Sequence, residues 1–491
     1  METVRQIKEF YNIINGKQVP AFSGKTLESK DPSTGKVWAA IPLSSPEDAE
    51  EAISAAKSAF GQWSALSAAE RSAYLRQIGD LVSEYAEELS VLETKDTGWV
   101  IRETSYGLIP ALTSIWYDAA SAASMASRGE TIQLDSRTFG YTLREPLGVV
   151  VGILPWNSPL FTFTIKAAYA LAAGNAVVIK PSEFASVSCL RYGELLNTIL
   201  PPGILNVVSG DGVAGEALVS HKDVSRVTLT GSVNTAKAIA RSTAQAPKPL
   251  TFELGGKSPN IVFADANLQK AAEGVTTNGI FTGNAGQLCV GGSRILIQRS
   301  VLDEMIYLMK EVLTKNIKLG NTMDPQTTMG PIANEAQYKK VCSYIELGIQ
   351  EGGKILAGGR YGGDALLPED PACSGGYWVE PTLIKVTSNS LRVCQEEIFG
   401  PVATVMVFDT EEEALAIAND TNYGLGAGVW TANLDRAHRM IKKIESGNVW
   451  VNTYRRVGPE LPFGGFKDSG FGKDAILENT REKTCMIEVG E

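Results

Sequence analysis

The chain has 491 residues, of which 44% are hydrophobic and 20% charged, a composition typical of a globular protein with two or three domains. The formal net charge of −10 argues against nucleic acid as a partner, because phosphate contacts need clustered Lys and Arg. No apolar run is long enough to span a membrane, and the first residues lack the apolar core of a signal peptide. We therefore expect a cytoplasmic protein that does not associate with membranes.

The cysteines predict reduced thiols rather than a disulfide framework or a metal site. No two of them form a Cys-x-x-Cys pair, and their spacing fits no zinc motif; they are residues 189, 289, 342, 373, 394 and 485. We therefore expect no bound metal.

The first third of the chain predicts helices followed by a ribbon. Residues 46–95 carry apolar residues at helical spacing, and Ser45 supplies an N-cap residue before an acidic first turn. Residues 131–144 partly alternate between apolar and polar side chains, which favours an exposed antiparallel ribbon.

From residue 148 onwards short apolar strands alternate with helices. The predicted strands are 149–154, 176–180, 205–208, 224–230 and 250–254, and the predicted helices are 160–173, 187–200, 214–221 and 235–243. A second series follows, with strands 260–263 and 294–298 and helices 268–280 and 302–319. Such alternation predicts an α/β protein whose parallel sheets are covered by helices on both faces.

Cys289 is a candidate nucleophile because it lies in a glycine-rich loop, residues 283–294. The two histidines, His221 and His438, stand in polar, helix-like settings, so Glu253 is the better candidate base. A cysteine served by a carboxylate indicates covalent chemistry at a carbonyl, in which the carboxylate activates water. The alternatives are that Cys289 is an inert packing thiol and that Glu253 is an ion partner of Lys257.

Two glycine-containing turns are candidates for phosphate binding. Residues 210–215 match G-x-G-x-x-G, but the next strand ends without the acid that the dinucleotide motif requires, so an ordinary turn is the alternative. Thr230-Gly-Ser232 ends a predicted strand and opens a helix, where backbone N–H groups bind pyrophosphate. Its alternative is an ordinary Ser N-cap.

Two further positions follow predicted strands. In Lys180-Pro-Ser-Glu183 the glutamate is placed to accept the ribose hydroxyls of adenosine and would repel a 2′-phosphate, which favours NAD over NADP; the alternative is a solvent-facing helix start. Asn157 offers a side-chain amide to an oxyanion, and a turn residue between prolines is the alternative. For Glu396-Glu397 the alternative to a functional role is a surface acidic pair.

Taken together, these strings resemble the aldehyde dehydrogenase superfamily, whose members oxidise aldehydes to carboxylic acids with NAD or NADP. The resemblance begins near residue 12 and extends to the tail. The matching motifs, in the family's order, are Pro155-Trp-Asn157, Lys180-Pro-Ser-Glu183, Thr230-Gly-Ser232, Glu253-Leu-Gly-Gly256, Gly286-Gln-x-Cys289, Glu397-Ile-Phe-Gly-Pro401 and Pro462-Phe-Gly-Gly-Phe-Lys467.

The resemblance implies catalytic roles for three residues. Cys289 would attack the aldehyde carbon, Asn157 and the Cys289 N–H would hold the oxyanion, and hydride transfer to the nicotinamide would leave a thioester. Glu253 would then activate water. We expect the loop's backbone dipoles, and the positive ring of the bound cofactor, to lower the pKa of the Cys289 thiol.

The resemblance also implies the cofactor site, in which Lys180 and Glu183 bind the adenosine ribose, Ser232 the pyrophosphate and Glu397 the nicotinamide ribose. Phe399 would pack beside the nicotinamide, and Gly210 would line the adenine site. The full set of expected cofactor-binding residues is Ile153, Leu154, Pro155, Trp156, Lys180, Ser182, Glu183, Gly210, Gly231, Ser232, Leu254, Glu397 and Phe399.

The implied architecture has two doubly wound parallel-sheet domains, one Rossmann-like for the cofactor and one catalytic, plus a small β oligomerisation arm. We predict the NAD-binding domain over 1–123 and 145–252, the catalytic domain over 253–454, and bridging segments over 124–144 and 475–491. The family forms homodimers or homotetramers.

Two other functions remain open. The branch of the superfamily that makes coenzyme A thioesters tends to lack the glutamate at position 253, so its presence favours hydrolysis. A catalytically silent binding protein on this scaffold is the other alternative. Where many members carry Arg-Glu, this chain has Lys473-Asp474, which puts a proton-relay role for the second carboxylate in doubt.

For the substrate tunnel, the resemblance implies the loop 453–461 together with Trp116, Ser158, Thr162, Leu288, Val290 and Arg455. Ser158 stands near a position that is a large aromatic residue in many members, so the tunnel is expected to be roomy. Arg455 and Arg456 are candidates to pair with the carboxylate of a semialdehyde. The alternative is that both face solvent or a neighbouring subunit.

Overall fold

The structure, a computed structural model, describes residues 7–458 and 461–489. Its first large sheet has eight strands, and the five central ones run parallel. The order across this sheet is Gly470–Phe471, Leu250–Glu253, Val224–Thr230, Val149–Ile153, Ala176–Lys180, Leu205–Val207, Asn12–Ile14 and Lys17–Val19.

Both faces of this sheet are buried, and its middle strands Val149–Ile153 and Ala176–Lys180 are apolar at almost every position. Val150 and Val177 point into one core, whereas their neighbours Val151 and Val178 point into the other. The first core is closed by Ala68–Glu84, Ile109–Ala122, Pro159–Ala172 and Val187–Leu196, and the second by Pro46–Ser64, Gly212–Ser220 and Val233–Thr243. The predicted doubly wound α/β class is confirmed.

The second large sheet has seven strands and a core of its own. The order is Lys354–Ala357, Thr382–Lys385, Val402–Phe408, Arg294–Gln298, Pro259–Val262, Gly426–Trp430 and Asn448–Val451, and only the first strand is antiparallel. Its longer helices are Leu268–Val275, Leu302–Asn316, Glu335–Gln350, Glu411–Asn419 and Leu434–Lys443. The chain crosses between the two sheets once at residues 254–258 and returns at 470–471.

A three-stranded sheet lies apart from both large ones. It joins the ribbon strands Thr131–Gln133 and Thr138–Pro146 to the last strand, Thr480–Glu488. Several of its apolar side chains are exposed, including Ile132, Leu134, Met486 and Ile487. The domain ranges and the use of this sheet for self-association stay predictions, and residues 1–6, 490 and 491 of those ranges lie outside the described part.

Two shorter sheets and several short helices complete the structure. The sheets pair Lys8–Glu9, Lys36–Pro42 and Thr26–Asp31, and Tyr423–Gly424 with Phe466–Lys467. The short helices are Ile101–Glu103, Gly363–Leu366 and Arg392–Gln395, together with the π turn Thr104–Leu108 and the 3-10 turns Ala123–Ser127, Arg299–Val301, Pro371–Cys373 and Leu477–Asn479. Across the described residues, no helix is long and apolar enough to cross a membrane.

Some predicted elements differ from the structure at their ends. The helical stretch 46–95 is three helices, Pro46–Ser64, Ala68–Glu84 and Ala86–Thr97, because Ser67 and Glu70 form a capping box that starts a new helix. The helix predicted over 268–280 ends at Val275, where Thr276 leaves the helical region with φ −102° and ψ −90°. This early end releases the chain into the long loop that carries Cys289.

The placement of Trp116 in the substrate tunnel is wrong. Its side chain is 0% exposed and packs in the core beneath the first sheet, where its ring N–H donates to the Tyr192 hydroxyl at 2.6 Å. Ile115, one position earlier on the same helix, lines the central cavity. Successive helical residues point about 100° apart, so the two neighbours face different surroundings.

We expect Trp116→Phe to lower the free energy of unfolding by about 1–3 kcal/mol, because it removes a buried hydrogen bond and part of a packed ring. The KM for a substrate bound in the cavity should not change. Denaturant unfolding and steady-state kinetics check both parts. A raised KM with unchanged stability would show instead that Trp116 contacts the substrate, as first expected.

Candidate functional site

A cavity of about 2680 Å³ lies at the carboxyl ends of the parallel strands of the first sheet. Strand Val149–Ile153 pairs with Ala176–Lys180 on one side and with Val224–Thr230 on the other, so the strand order reverses there. Such a reversal opens a crevice between the loops that follow the two strands. The cavity wall also includes Cys289 and Glu397 from the second half of the chain.

The loop that carries Cys289 is fixed by buried hydrogen bonds. The Gln287 side chain accepts from the Ala333 N–H at 2.8 Å and donates to the Pro331 carbonyl at 3.2 Å. A Cβ on Gly256 would lie 2.5 Å from the Cys289 carbonyl oxygen, so only glycine lets the loop pack on this segment. Cys289 is consequently held against the link between the two large sheets.

Burial raises the pKa of the Cys289 thiol to about 12, and the negative charges of Glu253 and Glu397 act in the same direction. The N–H groups of Val290 and Cys289 lower it, as we expected from the loop dipoles, but their effect is smaller. The expectation of a lowered pKa is therefore wrong for the protein without a ligand. Cys289 is half-buried, and all six cysteines are free thiols.

Glu253 ends strand Leu250–Glu253 and is only 8% exposed. Neither carboxylate oxygen has a hydrogen-bond partner among the described residues. Burial raises its pKa to about 8; the charge of Asp474 adds to that rise, while Lys166 and Lys473 oppose it. The alternative ion pair with Lys257 does not form, since the Lys257 ammonium also has no hydrogen-bond partner among these residues.

Asp474 belongs to a buried polar cluster beneath Glu253. Its carboxylate accepts from the Lys166 ammonium at 2.7 Å and from the Thr228 hydroxyl at 2.6 Å. Burial alone would raise the pKa of Asp474, but Lys166 and Arg226 outweigh burial and hold it below its usual value. Asp474 is thus ionised, and its negative charge acts on Glu253.

Asn157 links the first sheet to the Cys289 loop. Its side-chain amide donates to the Gln287 carbonyl at 2.7 Å, and its own carbonyl accepts from the Trp99 ring N–H at 2.6 Å. An amide has two N–H donors, so one of them is left over. Asn157 is therefore fixed on both sides beside the loop, rather than serving only as a turn residue.

At the other end of the cavity, Lys180, Ser182 and Glu183 line the wall after strand Ala176–Lys180. The Lys180 ammonium donates to the carbonyls of Pro181 at 3.0 Å and Gly210 at 2.6 Å. Gly210 does not line the cavity, contrary to our expectation, because its carbonyl is turned towards Lys180. Its neighbours Gly212 and Gly215 line the cavity instead.

Ser232 caps helix Val233–Thr243, and its hydroxyl accepts from the Thr235 N–H at 3.1 Å. The preceding Gly231 N–H donates to the Glu253 carbonyl at 3.0 Å, which connects this turn to the strand that carries the candidate base. Both Gly231 and Ser232 line the cavity, as do Ile153, Leu154, Pro155, Trp156 and Leu254.

Glu397 and Phe399 enter from the second half of the chain. The Glu397 carboxylate accepts from the Gly256 N–H at 3.0 Å, and burial raises its pKa. Phe399 has a left-handed backbone, φ 61°, and its ring packs edge-on against Trp156 with centroids 5.3 Å apart. Only Glu396 fits the surface alternative, since it forms an ion pair with Arg392 at 2.7 Å.

The remaining tunnel residues, Ser158, Thr162, Leu288, Val290 and Arg455, line the same cavity. Pro459 and Glu460 of the expected tunnel loop lie outside the described residues. Sequence reasoning missed Lys166 and also Gln337, whose side chain donates to the carbonyls of Ile398 and Phe399 at 2.8 Å each. Neither residue lies in a motif, so the sequence gives no signal for either role.

Among residues 7–458 and 461–489, no group of three or more His, Cys, Asp or Glu side chains is arranged to hold a metal ion.

The chain is similar over almost its whole length to proteins of known structure. PnpE of Pseudomonas sp. WBC-3 is 41% identical over 99% of this chain and 98% of that chain, with a TM-score of 0.93. The indole-3-acetaldehyde dehydrogenase AldA of P. syringae is 38% identical (99% and 98% covered, TM-score 0.94), and an aldehyde dehydrogenase of Bacillus cereus is 37% identical (98% and 97% covered, TM-score 0.94).

The structures of the P. syringae and B. cereus proteins are complexes with NAD+, and PnpE has also been solved with nicotinamide adenine dinucleotide. The model of the aldehyde dehydrogenase family matches residues 19–487. This match, together with the arrangement of Cys289, Glu253 and Asn157 around one cavity, shows that the chain belongs to the aldehyde dehydrogenase family.

Proposed function

We propose that the protein oxidises an aldehyde to the carboxylic acid with NAD, through a thioester on Cys289 that is hydrolysed by water activated at Glu253. The observation that carries this proposal is a single cavity that joins the thiol, the Asn157 amide and an unpartnered buried carboxylate to the Lys180–Glu183 and Ser232 segments. The NAD complexes of the similar proteins support the choice of cofactor.

The residues at the far end of the cavity fit a dinucleotide. Gly212 and Gly215 leave the wall open between two helices, and the N-terminus of helix Val233–Thr243 offers backbone N–H groups to a pyrophosphate. Glu183 would accept the ribose hydroxyls and repel a 2′-phosphate, which favours NAD over NADP. When bound, NAD+ supplies the hydride acceptor.

The chain's own residues carry the remaining steps. The Cys289 thiol gives its proton to water and its sulfur bonds to the aldehyde carbon, and the free Asn157 N–H and the Cys289 backbone N–H donate to the resulting oxyanion. Loss of hydride from that carbon leaves the thioester. Glu253 takes a proton from water, the water oxygen bonds to the acyl carbon, and the C–S bond breaks to release the acid.

The burial of Glu253 suits this order of events. A carboxylate without hydrogen-bond partners and with a pKa of about 8 is a stronger base than an exposed one, and it is held close to the sulfur. Its presence favours water over coenzyme A as the acyl acceptor. Product analysis with and without coenzyme A separates the two, since acyl transfer predicts a thioester product only when coenzyme A is added.

We further propose that the protein forms homodimers or homotetramers through the three-stranded sheet of the ribbon and the last strand. Its exposed apolar residues, such as Ile132 and Met486, would be covered in such an assembly. Light scattering of the wild type and of Met486→Glu tests this, and a monomeric wild type would contradict it.

A panel of aldehydes with NAD or NADP, read by absorbance of the reduced nucleotide, tests the reaction. We expect Cys289→Ser to abolish turnover, because a hydroxyl is a far weaker nucleophile than a thiol. Cys485→Ser, at a half-buried cysteine in the last strand, is the matched control and should retain activity. Undiminished activity of Cys289→Ser, or an inactive wild type on every aldehyde, would contradict the proposal.

The pH dependence of kcat follows from the raised pKa of Glu253. The deprotonated carboxylate is the base, so kcat should rise with pH through a midpoint near 8. Asp474→Asn removes the negative charge that helps to raise this pKa, so the midpoint should move to lower pH. Glu253→Gln should lose the rise altogether. A midpoint that stays in place or moves to higher pH in Asp474→Asn would rule out this assignment.

The close contact at Gly256 gives another expectation. A methyl group there would meet the Cys289 carbonyl oxygen, so Gly256→Ala should displace the loop and lower kcat/KM by about 100-fold. Gly61→Ala is the control, since a Cβ at Gly61 meets no atom within 4 Å. Equal kcat/KM for the two variants would show that this contact does not position the thiol.

A further inference from the structure

Arg455 has an unusual backbone beside the Cys289 loop. In the turn that follows strand Asn448–Val451, Asn452 has φ 54° and Arg455 has φ 60°. Asn tolerates this region well and is held here by bonds to Thr431 at 2.8 and 3.0 Å. An arginine has no such local reason, and a strained non-glycine residue at a cavity wall is a pointer to function.

The position of Arg455 relative to the thiol is fixed by its neighbour. The Tyr454 hydroxyl donates to the Val290 carbonyl at 2.7 Å, so the residue before Arg455 is bonded to the residue after Cys289. Tyr454 itself is buried in the core of the second sheet. Arg455 is therefore attached to the same rigid unit as the candidate nucleophile, and both line one cavity.

The Arg455 guanidinium has no hydrogen bond and no ion pair with any residue in 7–458 or 461–489. Burial lowers its pKa. The buried guanidinium groups of the chain are well supplied with acceptors: Arg226 donates to Asn479 and Thr251, and Arg294 donates to Lys257, Asn389, Ile417 and Ala418. Arg455 is half-buried at the cavity wall, and none of its five N–H groups is committed to an acceptor among the described residues, so all five can serve a ligand in the cavity.

The negative charge of Glu103 raises the pKa of Arg455, but the Glu103 carboxylate forms no hydrogen bond or ion pair with the guanidinium. Its carboxylate accepts from the Gly283 N–H at 3.0 Å and so stays with the Cys289 loop. The two cavity segments 99–107 and 453–458 contribute Arg102, Arg455 and Arg456 against this one acid. The positive excess favours an anionic ligand at this end of the cavity.

We propose that the substrate is an aldehyde that also carries a carboxylate, and that Arg455 binds this carboxylate while the carbonyl carbon lies at Cys289. The planar guanidinium donates two parallel hydrogen bonds to a carboxylate, a geometry that no uncharged aldehyde tail can match. The inference rests on the proposed function, since it names the substrate class of the same site.

The test compares substrates of equal length with and without the carboxylate. Succinic semialdehyde is paired with butanal and 6-oxohexanoate with hexanal, and kcat/KM is measured with NAD for each. We expect the wild type to prefer the better-fitting oxo acid over its uncharged partner. Arg455→Ala should lower that preference by about 10- to 100-fold through the oxo acid alone, and Arg455→Lys should keep part of it.

Arg299→Ala is the control, because Arg299 is exposed, forms an ion pair with Asp409 at 2.7 Å and does not line the cavity, so it should leave the preference nearly unchanged. The uncharged aldehydes report whether each variant is still folded and active. An equal loss on both substrates of a pair, a wild type without preference for either oxo acid, or an equal loss of preference in Arg299→Ala would overturn the proposal. Turnover of uncharged aldehydes in those cases would leave the proposed function standing, whereas its absence would remove both.

Discussion

The link between the two large sheets, residues 254–258, is the constraint on which the site depends. The Cys289 carbonyl packs against the Cα of Gly256, and the Gly256 N–H donates a hydrogen bond to the Glu397 carboxylate. Gly255 admits the Glu397 carboxylate, since a Cβ there would lie 2.3 Å from it. Glu253 is the last strand residue before this link. The two glycines therefore leave the space in which the Glu253 carboxylate, the Cys289 thiol and the Glu397 carboxylate lie close to one another.

In the protein without a ligand, the electrostatics of the cavity keep the candidate nucleophile and base in their neutral, unreactive forms. Burial together with two nearby carboxylates favours the neutral thiol, and burial with an ionised Asp474 favours the neutral Glu253. Positive charge brought into the cavity would shift both groups towards their ionised, reactive forms. The same environment that makes Cys289 a poor nucleophile alone makes it responsive to what binds beside it.

Much of the fold follows from local patterns. The strands 176–180, 224–230 and 294–298 have the predicted ends because short segments rich in apolar residues between polar turns mark buried parallel strands. Helix ends follow less directly from the sequence, as at Val275, where the helix ends five residues before the predicted end at 280. The thiol, base and amide were visible through their motifs, since each follows a strand or lies in a glycine-rich loop.

Other features depend on contacts between distant segments and leave no local mark. The role of Lys166 exists only because Asp474, more than 300 positions away, folds against it. Trp116 and Ile115 are equally apolar, and only the packed helix decides which one faces the cavity. The raised pKa of Cys289 leaves no local mark either, because burial in the folded protein is its main cause and the charges of Glu253 and Glu397 add to it through space.

The most direct test of the account is mass spectrometry of Glu253→Gln after incubation with an oxidisable aldehyde and NAD+. Without the base, the thioester should persist, and the protein should gain the mass of one acyl group in place of one hydrogen. The modified peptide should contain Cys289, and no stable adduct should form when NAD+ is left out. Reduction of the dinucleotide without an acyl adduct, or an adduct on another cysteine, would contradict the account.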